Sequence, residues 1–491
     1  MDTRDLNESQ PSDAKPMPPR ITLLTMFRLG LYQMGLGMMS LLTLGVINRI
    51  AIDELRVPAL IATGAIAMER FVSPARVLFG QMSDAKPLFG KHRSGYVWIG
   101  AILFTLTSFV ALQVLWQLGN SLQTAGLSAP TYGWAIALAA VFAFYGLSLS
   151  ASSTPFAAML VDISDEDNRS KLISVVWSML MVGIVVGAII SSTLLDRPEI
   201  CGAEILSYSP GQTEQMANIA TLSRTINPVF VIVPAIVLGL CLLATVGVEK
   251  KYSRYALRSR AANHEDKITP ASAFRVLTAS PQTGVFFSFL LVLTVSLFAQ
   301  DAVMEPYGGE VFGMCISETT KLNIPFGVGT LIGIGVTGFA IVPRLGKERT
   351  TKYGCLGAAV CLGLVILAGV VTNPGLLKAG IGLFGLFSGV LTAGATSLML
   401  DLTVAETAGT FIGAWGLAQA MARGLSTVIG GAILNLGKVV FDEPMLAYGS
   451  VFVLQAVGMV CAIALLRRVN IKEFQSNAKQ AITTVMEGDL D

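Results

Sequence analysis

The chain has 491 residues, 53% of them hydrophobic and only 13% charged, with a formal net charge of +2. A soluble globular chain carries roughly 25% charged residues, so depletion on this scale marks a multispanning membrane protein. The near-neutral balance excludes a nucleic-acid partner.

Residues 1–21 form a polar N-terminal tail without the regions of a signal peptide. Twelve apolar runs of spanning length follow, at roughly 22–49, 57–82, 95–118, 132–160, 171–195, 226–248, 283–305, 322–343, 352–371, 377–400, 409–435 and 447–466. The basic segment 249–281 divides them into a half at 22–248 and a half at 282–468, and 469–491 is a polar C-terminal tail. With both termini cytoplasmic, 23 of the 34 Lys and Arg lie at the cytoplasmic face, seven at the opposite face and four within helices, and this bias sets the orientation. The expected class is therefore an all-α membrane protein of twelve transmembrane helices in two six-helix halves.

The polar residues inside these runs are the candidate functional groups, because charge in a bilayer is costly. The first helix carries Arg28 and Gln33 beside a methionine patch of Met34, Met38 and Met39. The second carries Glu69, Arg70 and Arg76, and the eleventh Arg423. Glu69 and Arg423 either pair near the bilayer centre or the arginines snorkel and meet backbone carbonyls. Ser148, Ser150, Ser152 and Ser153 of the fourth helix either face a cavity or serve close helix packing. Asp162 and Asp401 close the fourth and tenth helices at matching places, with Ser164 and Thr403 as caps. In the seventh helix Gln300, Asp301 and Glu305 end the apolar run, and Asp301 and Glu305, four residues apart, share a helix face. Pro306 and Gly308-Gly309 then stop the helix, placing Glu310 in a Gly-rich turn.

The two histidines, His92 and His264, fall in polar stretches, and the six cysteines show no metal-ligand spacing, so no metal site is indicated. Cys201 and Cys315 lie in loops on one side; they could pair in an oxidising lumen, but two free thiols are expected. No nucleophile–base arrangement or phosphate loop appears, and no enzyme is expected.

Two halves joined by a cytoplasmic link describe the major facilitator architecture. The segment Gly80-Gln-Met-Ser-Asp84 with Gly90-Lys91-His-Arg93 resembles that superfamily's loop signature. Gly80 would allow close backbone approach, Asp84 would meet the N-terminus of the eleventh helix near Gly409, and Lys91 and Arg93 would hold the turn at the anionic surface. The second-half counterpart, Gly338 to Lys347, has Val342 in place of the acid.

More specifically, Arg28-Leu-Gly-Leu-Tyr-Gln33, Ile47-Asn-Arg-Ile-Ala-Ile-Asp-Glu-Leu-Arg-Val-Pro58 and the run from Leu297 to Gly313 resemble the bacteriochlorophyll delivery (PucC-like) family of the major facilitators. The resemblance implies a phototroph's thylakoid or photosynthetic inner membrane. It implies chlorophyll or bacteriochlorophyll as a transferred ligand, and light-harvesting or photosystem apoproteins and membrane lipid as partners. With no histidine in the membrane, oxygen donors remain for the pigment magnesium, foremost Asp301 and Glu305, with Gln300, Gln33 and Glu69. A proton-coupled secondary transporter of an amphiphilic solute and a pigment-free scaffold for nascent antenna proteins are the alternatives.

Overall fold

A backbone in lipid must satisfy its own hydrogen bonds, so the apolar runs become helices. The computed structural model describes residues 21–164, 166–197, 212–253, 281–401 and 408–470, and among these eleven helices are long and apolar enough to cross a membrane. The helices are α1 (Leu23–Glu54), α2 (Ala59–Phe71), α3 (Ala75–Ala85), α4 (Ser94–Ala125), α5 (Ala129–Ile163), α6 (Glu166–Leu195), α7 (Gln212–Ile226), α8 (Val229–Thr245) and α9 (Val248–Tyr252). After the link come α10 (Pro281–Phe298), α11 (Met304–Phe312), α12 (Ile316–Lys321), α13 (Asn323–Val336), α14 (Val342–Leu345), α15 (Lys347–Val370), α16 (Pro374–Asp401), α17 (Ala408–Val440) and α18 (Pro444–Leu466). Most of both polar tails and of the basic link lies outside the described residues, as do Cys201, His264 and Thr403 and the side chain of Asp401.

The run expected at 57–82 folds as two shorter helices, α2 and α3, parted at Val72-Ser73-Pro74. Pro74 has no N–H to donate and disfavours helical backbone at Ser73. The division has consequences for packing. α2 packs on α17 of the other half, whereas α3 packs on α5 of its own. The second inter-half contact is α6 on α13. Within the halves, α1 packs on α6 and α8, α4 on α5, α13 and α15 on α16, and α10 and α15 on α18. Small residues allow these approaches. Gly37 and Gly183 sit against backbone carbonyls across the α1–α6 contact, which assigns the neighbouring Met34 and Met38 to helix packing. Ser148 and Ser152 likewise pack on Gly100, and the Ser152 hydroxyl, which donates to the Val97 carbonyl at 2.9 Å, takes a hydrogen bond from Tyr32 at 2.8 Å.

The turn between α3 and α4 corrects three expectations. Gly80 meets only the Thr154 methyl, at 3.6 Å from where a Cβ would stand, so no close approach requires it. Gly90 does have a structural reason. Phe89 and Gly90 both adopt positive φ, 54° and 69°, in a tight turn closed by paired backbone bonds between Leu88 and Lys91. Arg93 is not at the surface but buried, bonded to Asp162 at 2.9 Å, to Asp84 at 2.6 Å and to the Ser83 hydroxyl at 2.7 Å. Burial alone would lower the Arg93 pKa, but the hydrogen bond and charge of Asp162, reinforced by Asp84, hold it above its ordinary value. Lys91 lies 3.8 Å over the Trp98 ring instead of reaching outward. A different helix end, that of α4, has a carboxylate of its own. Glu249 accepts from the backbone N–H groups of His92 at 2.7 Å, Arg93 at 3.1 Å and Ser94 at 2.7 Å, capping α4. The side chains at the start of α17, Asp84's expected partner, lie outside the described residues.

At the other end of the molecule, which we call the distal end, Cys315 is disulfide-bonded, against the expectation of free thiols. It occupies the N-cap of α12, where Glu318 closes a capping box, so its sulfur is held in place by local structure.

The Arg93 cluster is directly testable. Asp162→Asn leaves a buried guanidinium short of its main acid and should cost about 3–5 kcal/mol. Asp84→Asn, at a side chain that is 56% exposed, should cost ~1 kcal/mol or less. Thermal unfolding of the purified variants in detergent checks the order, and equal midpoints would refute it.

Candidate functional site

Helix α1 is not uniform. It contains two π segments, Leu41–Val46 and Ile50–Glu54, flanking Ile47-Asn48-Arg49. A π turn inserts an extra residue and rotates the following side chains off the regular helical register. Here the rotation aims Asn48, Arg49 and Asp53 at the second half. Arg49 is among the largest fully buried side chains. It pairs with Asp53 one turn on, reaches Glu54 at 3.3 Å, and donates to the Met314 carbonyl at 3.2 Å. Gly309 of α11 lies directly against the Arg49 guanidinium and Asp53 carboxylate, with no room for a side chain. Beside it, Glu310 accepts from Arg56 and from Lys438 of α17, both at 2.7 Å. Glu310 is thus a buried ion-pair partner inside a helix and not a turn residue.

The seventh spanning segment breaks where continuity was expected. α10 ends at Phe298, a 3-10 turn covers Ala299–Ala302, and α11 resumes at Met304. Pro306 explains the break, because it has no N–H to offer the Ala302 carbonyl four residues back. Asn48 of α1 donates its side-chain amide to that carbonyl instead. Pro306 and Gly308-Gly309 lie within α11, whose end comes at Gly313, with φ 66° and the Met314 N–H bonded back to Gly308.

The break separates the two carboxylates that a continuous helix would have put on one face. Glu305 is buried; its Oε1 accepts from Asn323 at 2.6 Å and faces Gly45 of α1, and its Oε2 has no partner among the described residues. Asp301 is half-buried, accepts from Gln300 at 2.5 Å, and lies within Coulombic reach of Arg423 and Arg70. Arg423 therefore has Asp301 as its acid, and its guanidinium stacks 4.0 Å over the Phe298 ring. Glu69, buried, meets Arg70 at 3.4 Å. The expected Glu69–Arg423 pair is not found among the described ion pairs, because Phe298 and Asp301 occupy the Arg423 side. Arg28 does not face the space between the halves; it donates to the Leu243 and Val246 carbonyls at the end of α8. Gln33 is half-buried on α1.

Two sets of residues are thus brought together. Arg49, Asp53, Arg56, Glu310 and Lys438 seal the distal end, and Glu69, Arg70 and Arg76, around the α2–α3 break, gather with Asp301 of the 3-10 turn and Arg423 of α17. Of the first set only Glu310 had been singled out. The spacing Arg49-x-x-x-Asp53 at the end of an apolar run was the signal available for the others. No group of three or more His, Cys, Asp or Glu that could hold a metal ion occurs among the described residues. For a magnesium-bearing pigment, Asp301 is the accessible oxygen donor, whereas Glu305 is closed in by Gly45 and Asn323.

Glu310→Gln removes the anion shared by Arg56 and Lys438 and should loosen the distal seal. A single cysteine at the buried position Thr43, in a Cys461→Ser background, reports this by its rate of modification from the distal side. The rate should rise about tenfold, the effect of moving the closed–open balance by ~1.4 kcal/mol. An unchanged rate in a folded variant would refute the seal.

With this geometry in hand, the chain can be set against known proteins. It is 27% identical to Protein PucC of Rhodobacter capsulatus over 456 residues, covering 90% of this chain and 92% of that one. It is 28% identical to the bacteriochlorophyll synthase 44.5 kDa chain of Rhodobacter capsulatus over 478 residues, covering 95% and 99%. Among solved structures, a mutant form of the nucleoside transporter NupG superposes with a TM-score of 0.62 at 13% identity, over 91% of this chain and 99% of that one. A bacterial homologue of the iron transporter ferroportin, in its inward-facing state, gives a TM-score of 0.60 at 13% identity, over 91% and 99%. These likenesses show a transporter-type fold of the major facilitator kind, and the chain is a multi-pass integral membrane protein. The match to the family described as PUCC protein runs over residues 46–474, and the chain belongs to that family.

Proposed function

We propose that this protein is an assembly factor of a photosynthetic membrane, thylakoid or inner membrane, that binds a chlorophyll- or bacteriochlorophyll-type pigment and hands it to antenna or photosystem apoproteins. Family membership over residues 46–474 is the observation that carries this reading, supported by similarity along 95% of the chain to a protein named as a bacteriochlorophyll synthase chain. In this reading the α2–α3 pair counts as one crossing, which gives twelve, and the Lys and Arg bias puts both termini in the cytoplasm. Asp301 is the magnesium donor, since hard oxygen ligands suit magnesium and it is half-buried where Glu305 is buried.

A second reading, a proton-coupled transporter of an amphiphilic solute, is favoured by one observation. The partly unsatisfied Glu305 carboxylate lies directly against α1, at the contact between the halves, where carboxylates couple protons to alternating access.

Gentle purification from a phototroph, followed by an absorption spectrum and identification of co-purifying proteins, tests the proposal. Pigment should co-purify near stoichiometry, Asp301→Asn should lose most of it, and Glu305→Gln should keep it. A colourless protein that moves a solute down a pH gradient would overturn the proposal in favour of transport. A colourless protein carrying antenna subunits would overturn it in favour of a pigment-free scaffold.

A further inference from the structure

Three arginines lie near the contact of α2 with α17 and the adjoining start of α3: Arg70, Arg76 and Arg423. Each is half-buried, and each lies within Coulombic reach of the other two. The acids that face them are Glu69, bonded to Arg70 at 3.4 Å, and Asp301, within reach of Arg423 and Arg70. Among the described residues, three cations against two anions leave one positive charge in excess. The Nε groups of Arg76 and Arg423 are also buried with no hydrogen-bond partner among the described residues. An uncompensated cation in a spanning segment is costly and marks a functional site.

An apolar cavity of about 420 Å³ adjoins this cluster, lined by Phe71, Phe287, Leu291, Thr294, Ala422 and Leu425 among others. Its size falls in the ordinary range of ligand pockets, roughly 300–1,000 Å³. No arginine is among the lining residues of the cavity, but Arg70 and Arg423 adjoin residues that line it. Phe71 follows Arg70 in α2, and Ala422 precedes Arg423 in α17. Gly424 sits where a Cβ would be 3.0 Å from the Arg70 Cβ and 3.2 Å from the Phe71 ring. On α10, Thr294 lines the cavity, and Phe298, one turn further, carries Arg423 on its ring. Leu291 and Leu425 are exposed, so the cavity is open to the surface of the molecule.

We infer that this is a binding site for a membrane-borne amphiphile with an anionic head and an apolar tail. Arg70, Arg76 and Arg423 hold a carboxylate or phosphate head, and the tail lies along α10 and α17 in the apolar cavity. Arginine suits this because its planar fork presents paired donors to a carboxylate or phosphate. The ligand enters sideways between helices, and its head supplies the missing anion. The site does not depend on pigment handling. It uses cationic donors, whereas the magnesium ligand proposed above is the Asp301 carboxylate.

The test uses the full chain in phosphatidylcholine nanodiscs, with binding of dodecanoate and dodecyl phosphate compared against dodecanol and inorganic phosphate. Both anionic amphiphiles should bind more tightly than dodecanol or phosphate alone. Arg423→Gln should weaken them by about tenfold or more, the loss of one charge-assisted contact, and leave dodecanol unchanged. Arg423→Lys, which keeps the charge, should recover part of the affinity, and Ala422→Phe should reduce every chain-bearing probe by filling the cavity. Gel filtration and ligand-free melting confirm that each variant is folded; should Arg423→Gln fail to fold, Arg70→Gln serves in its place. Equal binding of dodecanol and dodecanoate, binding of phosphate as tight as that of dodecyl phosphate, or affinity unaffected by both variants would overturn the inference. Pigment content, read from the absorption spectrum of the same samples, is a separate result, so failure here leaves the proposed function to its own test.

Discussion

Burial of Arg49 is the constraint around which the two halves are arranged. A guanidinium removed from water needs an acid and filled donor positions, or it costs several kcal/mol. Asp53 supplies the acid locally, and the Met314 carbonyl from the other half takes one donor, while the Arg49 Nε has no hydrogen-bond partner among the described residues. For that carbonyl to arrive, α11 must lie flush against α1, which only the bare Gly309 backbone permits. The π segments of α1 set the direction in which Arg49 and Asp53 point, and the break before α11 brings its backbone within reach. Removing the arginine would leave each of these features without its purpose.

The charges at this junction partition by half. Arg49, Asp53, Glu54 and Arg56 belong to the first half, two of each sign, and Arg56 lies 3.8 Å from Asp53. Glu310 and Lys438 belong to the second and pair with each other. If the halves part at this end, neither carries a lone buried charge away. The bonds from Arg49 to Met314, from Arg56 to Glu310 and from Asn48 to Ala302 are given up, together with those from Ser317 to the Ser192 carbonyl and from Lys321 to Asp196. Such a junction closes firmly yet opens without stranding an ion, which is what a two-half membrane protein of either proposed class requires.

The spans were legible because hydropathy reports which segments leave water, and that is a property of composition. What happens inside a span was not, because apolarity says nothing of helix continuity. Pro74 sat unremarked in the run at 57–82, although a missing N–H there divides α2 from α3. Asp301 and Glu305 were placed on one face by a spacing rule that presupposes an unbroken helix. The decisive fact was again a proline, Pro306, whose orphaned Ala302 carbonyl had to find a donor; that donor, Asn48, is 254 residues away. Cys315 was misread for a related reason, since pairing depends on where a loop is held and not on cysteine spacing. The basic turn shows the opposite case. Its composition was read correctly, but Arg93, expected at the surface, is turned inward onto Asp162 and Asp84.

The separation of the two carboxylates also bears on what kind of pigment contact the chain can make. Asp301 shares its charge with Arg423 and Arg70 and with the Gln300 amide. A carboxylate so engaged has less electron density to give a metal, and it is a weaker magnesium ligand than a solvent-separated one. Glu305 would be the stronger donor, but Gly45 and Asn323 close around it, and a macrocycle could reach it only if α1 moved away. In the closed arrangement the accessible donor is therefore the weak one. Weak ligation is poorly suited to storing pigment in a fixed array. Within the proposed function it suits a protein that releases pigment to an apoprotein bearing a better ligand, so the loss of a simple two-carboxylate site is compatible with transfer and not with retention.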